Sequence, residues 1–429
     1  MSTLLIRGGR VIDPASSTDA TLDLAIRDDR IEAIGKGLSS AGVDRVIDAT
    51  GKLVVPGLID PHVHLREPGH EHKETIASGT QSAVVGGFTS VCCMPNTAPA
   101  LDAPELIRFV YDAAARTGAC RVFPVAAATK GRKGEELAEI ELLAQAGAVA
   151  ISDDGDCIPT AGVMARVFGA VARTGLVFMQ HCQDPTLTRG ASMHAGEISV
   201  RLGLTGWPRE AEEIIIERDV RLARASGCRY HVQHISSAGS VEIVRKARAA
   251  GARITAEASP HHLILTHEAC DNYNTSAKVN PPLREASDRD AIRAGVADGT
   301  ITVLATDHAP HADFEKSLPF EEAPMGLLGL ESALPLYAEA LVHTGLIGWP
   351  RLIAMMTLEP ARLCGLDAKG LGVLRAGGVA DVTILDPDAA WTLDAGALKS
   401  RSRNTPFAGR SLRGRATVTI VAGVVKHTL

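Results

Sequence analysis

Between residues 53 and 307 the chain repeats one pattern: a short apolar run, then a longer stretch with apolar residues every three or four positions. The short runs at 53–60, 89–94, 121–127, 148–154, 176–181, 229–234, 253–258 and 302–307 have the near-continuous apolar character of buried parallel strands. The longer stretches, such as 104–116, 134–145, 210–225 and 241–250, have the period of amphipathic helices that bury one face. Eight strands alternating with helices over roughly 300 residues predict an α/β fold, a closed parallel (β/α)8 TIM barrel. A doubly wound open sheet is the competing architecture, but no Gly-rich dinucleotide fingerprint follows an early strand.

The two ends differ in texture. Runs at 4–13, 22–26 and 30–34, and again at 380–386 and 416–425, are short and strand-like, separated by turn residues such as Gly377-Gly378 and Asp386-Pro387. Neither end is long enough to build a core alone, and unpaired edge strands invite aggregation. The expectation is a small β-sandwich domain made of residues 1–52 and 373–429, beside a barrel of residues 53–372.

Composition narrows the function. Hydrophobic residues at 45% and charged residues at 22% are ordinary for a globular enzyme. A net charge of -6 gives no basic footprint for nucleic acid, and aromatics at 3% supply no stacking platform for bases or sugars. No apolar stretch approaches the ~20 residues of a membrane helix, and the N-terminus lacks the form of a signal peptide. The eight cysteines are scattered without CxxC spacing, which predicts reduced thiols and a cytoplasmic location.

Where the polar residues fall is more telling. Barrel active sites sit at the C-terminal ends of the strands. The first strand ends in His62-Val63-His64-Leu65-Arg66, the second in Asn96, the fourth in Asp153-Asp154, the fifth in His181, the sixth in His234 and the eighth in Asp307. One such ending is compatible with a satisfied core histidine, but six are not explained by packing. Strand alternation points His62 and His64 the same way. Four histidines (His62, His64, His181, His234) with Asp154 and Asp307 are the N/O donors of zinc-like metals, and too many for one tetrahedral ion with an open position. They suit two metals sharing a carboxylate and a water, and such metals lower the water pKa from about 15.7 to about 7. Asp307 at such a site can move the proton to a leaving nitrogen. Arg66 adds a fixed cation for an anionic substrate.

These motifs resemble type I dihydroorotase, of the amidohydrolase superfamily. The resemblance is carried in order by the His62–Gly69 stretch, Met94-Pro95-Asn96-Thr97, Ser152-Asp153-Asp154-Gly155, Ser259-Pro260-His261-His262-Leu263, Asn280-Pro281-Pro282-Leu283-Arg284 and Thr306-Asp307-His308-Ala309-Pro310-His311. It implies zinc-dependent, reversible cyclisation of N-carbamoyl-L-aspartate to dihydroorotate in pyrimidine biosynthesis. By position, it implies that His62, His64 and Asp307 hold one zinc, His181 and His234 hold the other, and Asp154 bridges them. A metal-bridging hydroxide would attack the ring amide while catalytic Asp307 protonates the departing nitrogen. Arg66, Asn96 and His311 would grip the substrate carboxylate, with Asn280 and the Met325-Gly326 backbone holding the ring and His64 also lining the substrate. The partner expectations are a small-molecule substrate, a homo-oligomer and a complex with aspartate transcarbamoylase, without nucleic acid or membrane.

Many relatives bridge their metals with a carbamylated lysine, but no lysine occurs between Lys133 and Lys246, so a carboxylate must serve. Alternation alone leaves Asp153 and Asp154 both open; the resemblance favours Asp154. Met325 stands where the family pattern has Phe. His231 is out of phase with His234 and is expected to face the helices. His261 and His262 fit a structural role as well as a site role, and Cys182 should point away from the site. Two alternative functions are a hydantoinase- or allantoinase-like cyclic amidohydrolase, and a non-catalytic dihydroorotase-like subunit that scaffolds aspartate transcarbamoylase. The first does not need Arg66 and Asn96, and the second class loses the metal ligands present here.

Overall fold

The computed structural model describes residues 2–429. Eight strands lie side by side in chain order within one parallel sheet: β1 (Leu58–Val63), β2 (Phe88–Cys93), β3 (Arg121–Ala126), β4 (Ala150–Ile151), β5 (Val177–Gln180), β6 (Arg229–Val232), β7 (Ile254–Ala258) and β8 (Val303–Leu304). A parallel bridge between Val63 and His308, with the His64 amide donating to the His308 carbonyl at 2.9 Å, brings the chain after β8 back to β1. The sheet therefore curls into the TIM barrel.

Alternation within the strands sorts the core into two layers. Phe178 and Tyr230 point outward and meet Phe168 of the helix Ala161–Thr174 edge to face, with ring centroids 5.3 and 5.6 Å apart. Val177, Met179, Ile59, Cys92, Met94, Val125 and Val303 belong to an inner cluster, with Leu363, Leu366 and Leu371 packed beneath it. Arg229, at the start of β6, donates to the carbonyls of Arg362 and Leu363, which places that plug at the N-terminal mouth. The opposite mouth is left to polar side chains.

A separate eight-stranded sheet combines both ends of the chain. Thr3–Asp13, Thr18–Arg27, Arg30–Gly35, Arg45–Asp48 and Leu53–Pro56 come from the start, and Val382–Thr392, Ser411–Val421 and Val424–Thr428 from the end. The seam is Leu53–Pro56, parallel to the first strand and antiparallel to Val382–Leu385.

The run 53–60, expected as one barrel strand, is thus two strands in two sheets. The chain changes sheet at Gly57, not at residue 52. Only glycine fits there, because a Cβ would lie 2.1 Å from Thr89 Oγ1. The expected helix 134–145 forms only over Ile140–Gln145. Its first part is instead pinned back on the loop after β3, with the Gly134 amide on Thr129 Oγ1 and the Ala138 amide on the Ala128 carbonyl. The helices Pro104–Thr117, Glu210–Ser226 and Ala238–Ala249 match their expected positions closely. Among the described residues no helix is long and apolar enough to cross a membrane.

Candidate active site

The six strand-end residues expected to act together do converge. His62 and His64 leave β1, Asp154 follows β4, His181 follows β5, His234 follows β6 and Asp307 follows β8, and all six are buried. Asp154 is the centre. Its Oδ1 lies 3.3 Å from His62 Nε2, 3.8 Å from His181 Nδ1 and 3.7 Å from His234 Nε2, while its Oδ2 lies 3.6 Å from His64 Nε2. Asp307 Oδ1 lies 3.1 Å from His64 Nε2 and 3.5 Å from His62 Nε2. Two groups of potential ligands, His62–His64–Asp154 and Asp154–His181–His234, share the one carboxylate. The backbone is held out of its ordinary range here, with positive φ at Arg66 (61°), His234 (29°) and Asp307 (49°). Such strain persists only where surrounding packing enforces it.

The hydrogen bonds behind the ligands set which nitrogen faces inward. His62 Nδ1 is 2.6 Å from Glu257 Oε1, His64 Nδ1 is 2.9 Å from Asn96 Oδ1, and His181 Nε2 is 2.9 Å from Gln183 Oε1. With each outer nitrogen engaged by an oxygen, the inner nitrogen is the one aimed at the cluster, where an ion would take the place of its proton. His62 Nε2 and Asp154 Oδ1 are buried without any hydrogen-bond partner, a costly state unless an ion completes them. Burial opposes the charge on both aspartates. The imidazoles outweigh it, His62 foremost at Asp154 and His64 at Asp307, and hold both carboxylates well below their usual range. Burial and the nearby His234 lower His181 to about 4, which keeps it in the neutral, ligating form. The donor set fits divalent metal.

The adjacent aspartates separate cleanly. Asp153 turns away and accepts the amides of Ala128 and Thr129, at 2.8 and 3.0 Å, with the Thr129 hydroxyl. It fastens the loop after β3, while Asp154 faces the histidines. His231 corrects the expectation made for it. It is in register with inward-facing Met179, and its Nε2 lies 3.0 Å from Glu257 Oε2, so it faces the barrel interior and not the helices. Glu257 itself was missed. A single acid within the apolar strand β7 was the available signal. Although burial opposes its charge, His62 and His231 hold Glu257 down to about 2, so it is ionised. His262 Nε2 donates to the Pro281 carbonyl at 3.0 Å, and the Cys182 thiol lies 3.3 Å from the Tyr230 hydroxyl, so both are packing residues. His261 is buried with neither ring nitrogen partnered.

A cavity of about 310 Å³ opens beside the cluster, lined by His64, Asp154, His181, His234 and Asp307 and, on another wall, by Arg66, Asn96, Asn280, His311, Met325 and Gly326. Every residue expected at the site except His62, which lies behind it, lines this space. Arg66 is 8% exposed, with its Nε donating to the Pro310 carbonyl at 3.2 Å and its Nη2 3.3 Å from His311 Nε2. His311 Nε2 lies 2.9 Å from the Met325 carbonyl. Burial, then Arg66 and Lys73, keep that imidazole neutral. Asn280 donates to Gln183 Oε1 at 3.0 Å and leaves its own Oδ1 buried and unpartnered. The expected ring contact at Gly326 is altered. Its amide donates to the Lys278 carbonyl and its carbonyl accepts from Asn404 and Lys316, so it meets the cavity with its Cα and not with a free backbone group. Its φ of +137°, with a Cβ position 2.8 Å from Ala309 Cβ, requires glycine.

Residues 51–240 match the family model described as Dihydro-orotase-like. A dihydroorotase from Pelotomaculum thermopropionicum is 49% identical over 98% of this chain and 98% of its own length. This chain belongs to the dihydroorotase family. Dihydroorotases from Trichlorobacter lovleyi and a Geobacter species, strain M21, are 47% and 46% identical with similar coverage. Among solved structures, the L-hydantoinase (dihydropyrimidinase) from Arthrobacter aurescens superposes with a TM-score of 0.89 at 25% identity, covering 100% of this chain and 96% of its own. A dihydropyrimidinase from Brevibacillus agri gives 0.87 at 22% identity over 99% of this chain and 95% of its own, which speaks for the fold alone. The dihydroorotase-family chain thus shares a barrel with hydantoinases and is a cyclic amide hydrolase with buried His/Asp groups able to bind metal.

Proposed function

We propose that this chain interconverts dihydroorotate and N-carbamoyl-L-aspartate, opening or closing the ring amide with uptake or release of water. The observation that carries this reading is the buried Arg66 guanidinium, with Asn96 and His311, in the same cavity as the histidine–aspartate cluster. A substrate with both a carboxylate and a cyclic amide answers both walls at once. A hydantoin or allantoin, lacking the carboxylate, leaves a buried cation without a counter-charge, which is unfavourable.

Two zinc ions would suit these donors: His62, His64 and Asp307 would hold one, His181 and His234 the other, with Asp154 within reach of both groups and no carbamylated lysine needed. When bound they supply Lewis acidity toward the amide carbonyl and acidify water toward neutral pH. The remaining work belongs to side chains. Arg66 and the Asn96 amide orient the carboxylate, each charge-assisted hydrogen bond contributing about 1.5–3 kcal/mol. Asn96 keeps its Nδ2 for this because its Oδ1 is taken by His64. Asn280 Oδ1, unpartnered, accepts a ring N–H. In hydrolysis Asp307 takes a proton from the attacking water at a carboxylate oxygen and passes it to the ring nitrogen as the C–O bond forms and the C–N bond breaks. Synthesis uses the same groups in reverse.

Formation of dihydroorotate from N-carbamoyl-L-aspartate by the zinc-loaded protein tests the proposal, and a metal-replete protein with no turnover in either direction contradicts it. Association into a homo-oligomer, and with aspartate transcarbamoylase, is carried by the family resemblance; sedimentation of the chain alone and with that enzyme tests both.

A further inference from the structure

His311 and Gly326, on the substrate-facing wall, lie in one irregular stretch after β8. Its two limbs are laced together by a bridge between His308 and Leu327 and by the Ala309 amide on the Leu327 carbonyl at 2.8 Å. That lacing leaves the tips, where His311 and Gly326 face the cavity, to be held by something else.

The holding groups come from two sides. Asn404 lies between the strands Val382–Thr392 and Ser411–Val421 of the other sheet, yet it is 3% exposed and sits against the barrel mouth. Its Oδ1 accepts the His311 amide at 3.1 Å, and its Nδ2 donates to the carbonyls of Ala309 and Gly326, both at 3.0 Å. Its own carbonyl accepts the Leu328 amide at 3.0 Å. Lys316, also buried, donates to the carbonyls of Pro324 at 2.8 Å and Gly326 at 3.1 Å. The Gly326 carbonyl is therefore held through both lone pairs, one from each sheet's side of the cavity. An amide is the one side chain of this size that offers two donors and an acceptor from one planar group.

We infer that Asn404 and Lys316 are positioning residues for the substrate carboxylate and ring. Converging on Gly326, they fix its distance from His311 and thereby the width of the carboxylate-binding wall. This rests on the reading of His311 and Gly326 as substrate contacts. It makes the small sheet a contributor to substrate binding, through a residue that touches no substrate. Asn404→Asp keeps the shape but sets a carboxylate against two carbonyl oxygens, and Lys316→Met keeps the apolar stem while removing both donated bonds.

The test measures kcat, KM for dihydroorotate, zinc per chain and the thermal midpoint for Asn404→Asp, Lys316→Met, His311→Ala and the Asn404→Asp/His311→Ala pair. Both positioning variants should raise KM about tenfold or more, with kcat within about threefold and zinc unchanged. In the His311→Ala background Asn404→Asp should add little, because both act on one contact. Should either variant fail to fold, the other carries the test. Native KM in zinc-replete, folded variants, with KM raised in His311→Ala, overturns the inference and leaves the site reading standing. Unchanged KM in His311→Ala overturns the site reading itself. Loss of zinc or of the folded state in both variants makes the two residues structural and also overturns the inference.

Discussion

Glu257 Oε1 lies 2.6 Å from His62 Nδ1, with both side chains fully buried, and this contact decides which nitrogen of His62 faces Asp154. Glu257 is itself held by His231 Nε2 at 3.0 Å and by the His234 amide at 3.2 Å. One carboxylate thus aligns two of the four clustered histidines. Replacing it with Gln keeps the shape but removes the negative charge that favours donation from His62 Nδ1. Losses of this kind typically weaken metal binding about 10–100-fold. Competition against a chelator should show that weakening in Glu257→Gln with the fold retained, and native affinity would make the contact dispensable.

Asp153 and Asp154 are neighbours with opposite duties, so their Asn variants should diverge. Asp154→Asn should lower zinc per chain and activity together. Asp153→Asn should keep its zinc but lose stability, by about 1–3 kcal/mol, because it removes the charge behind the Oδ1 that accepts the amides of Ala128 and Thr129 and the Oδ2 that accepts the Thr129 hydroxyl. Metal analysis with denaturant unfolding separates the two outcomes. Zinc loss in Asp153→Asn alone would reverse the assignment.

Arg66 bonds to the Pro310 carbonyl and to none of the clustered metal donors. Arg66→Ala should therefore leave bound zinc intact while lowering kcat/KM for dihydroorotate roughly tenfold to a hundredfold, the loss of one charge-assisted contact. Steady-state kinetics and metal content on the same preparation check this. Depleted zinc would make Arg66 a structural cation.

Much of this site was legible because barrel geometry maps strand ends onto one mouth. Apolar runs that end in His62, His181, His234 and Asp307 declare both the fold and the cluster. What stayed hidden depends on contacts between segments far apart in the chain. The break at Gly57 interrupts no apolar pattern, and only the distant Thr89 shows why glycine is needed. Asp153 and Asp154 differ by the direction of one peptide, which composition does not encode. His231 was assigned to the wrong face because His234 lies beyond the end of regular β6, where alternation from strand to loop no longer applies. Asn404, between strands of the other sheet, carries no local mark of its place at the barrel mouth.

Metal removal gives a further outcome. The unpartnered His62 Nε2 and Asp154 Oδ1 are buried costs that an ion offsets, so chelated protein should lose turnover and unfold at lower temperature. Zinc added back should restore both. Full activity after exhaustive chelation would exclude a metal role for the cluster.

The central claim is that one cavity pairs a metal-binding cluster with a carboxylate grip. It is tested most directly by the turnover of dihydroorotate, hydantoin and allantoin, with zinc counted in the same sample. The predicted result is efficient opening of dihydroorotate with negligible turnover of the other two by zinc-replete protein. Comparable or faster turnover of hydantoin or allantoin would contradict it.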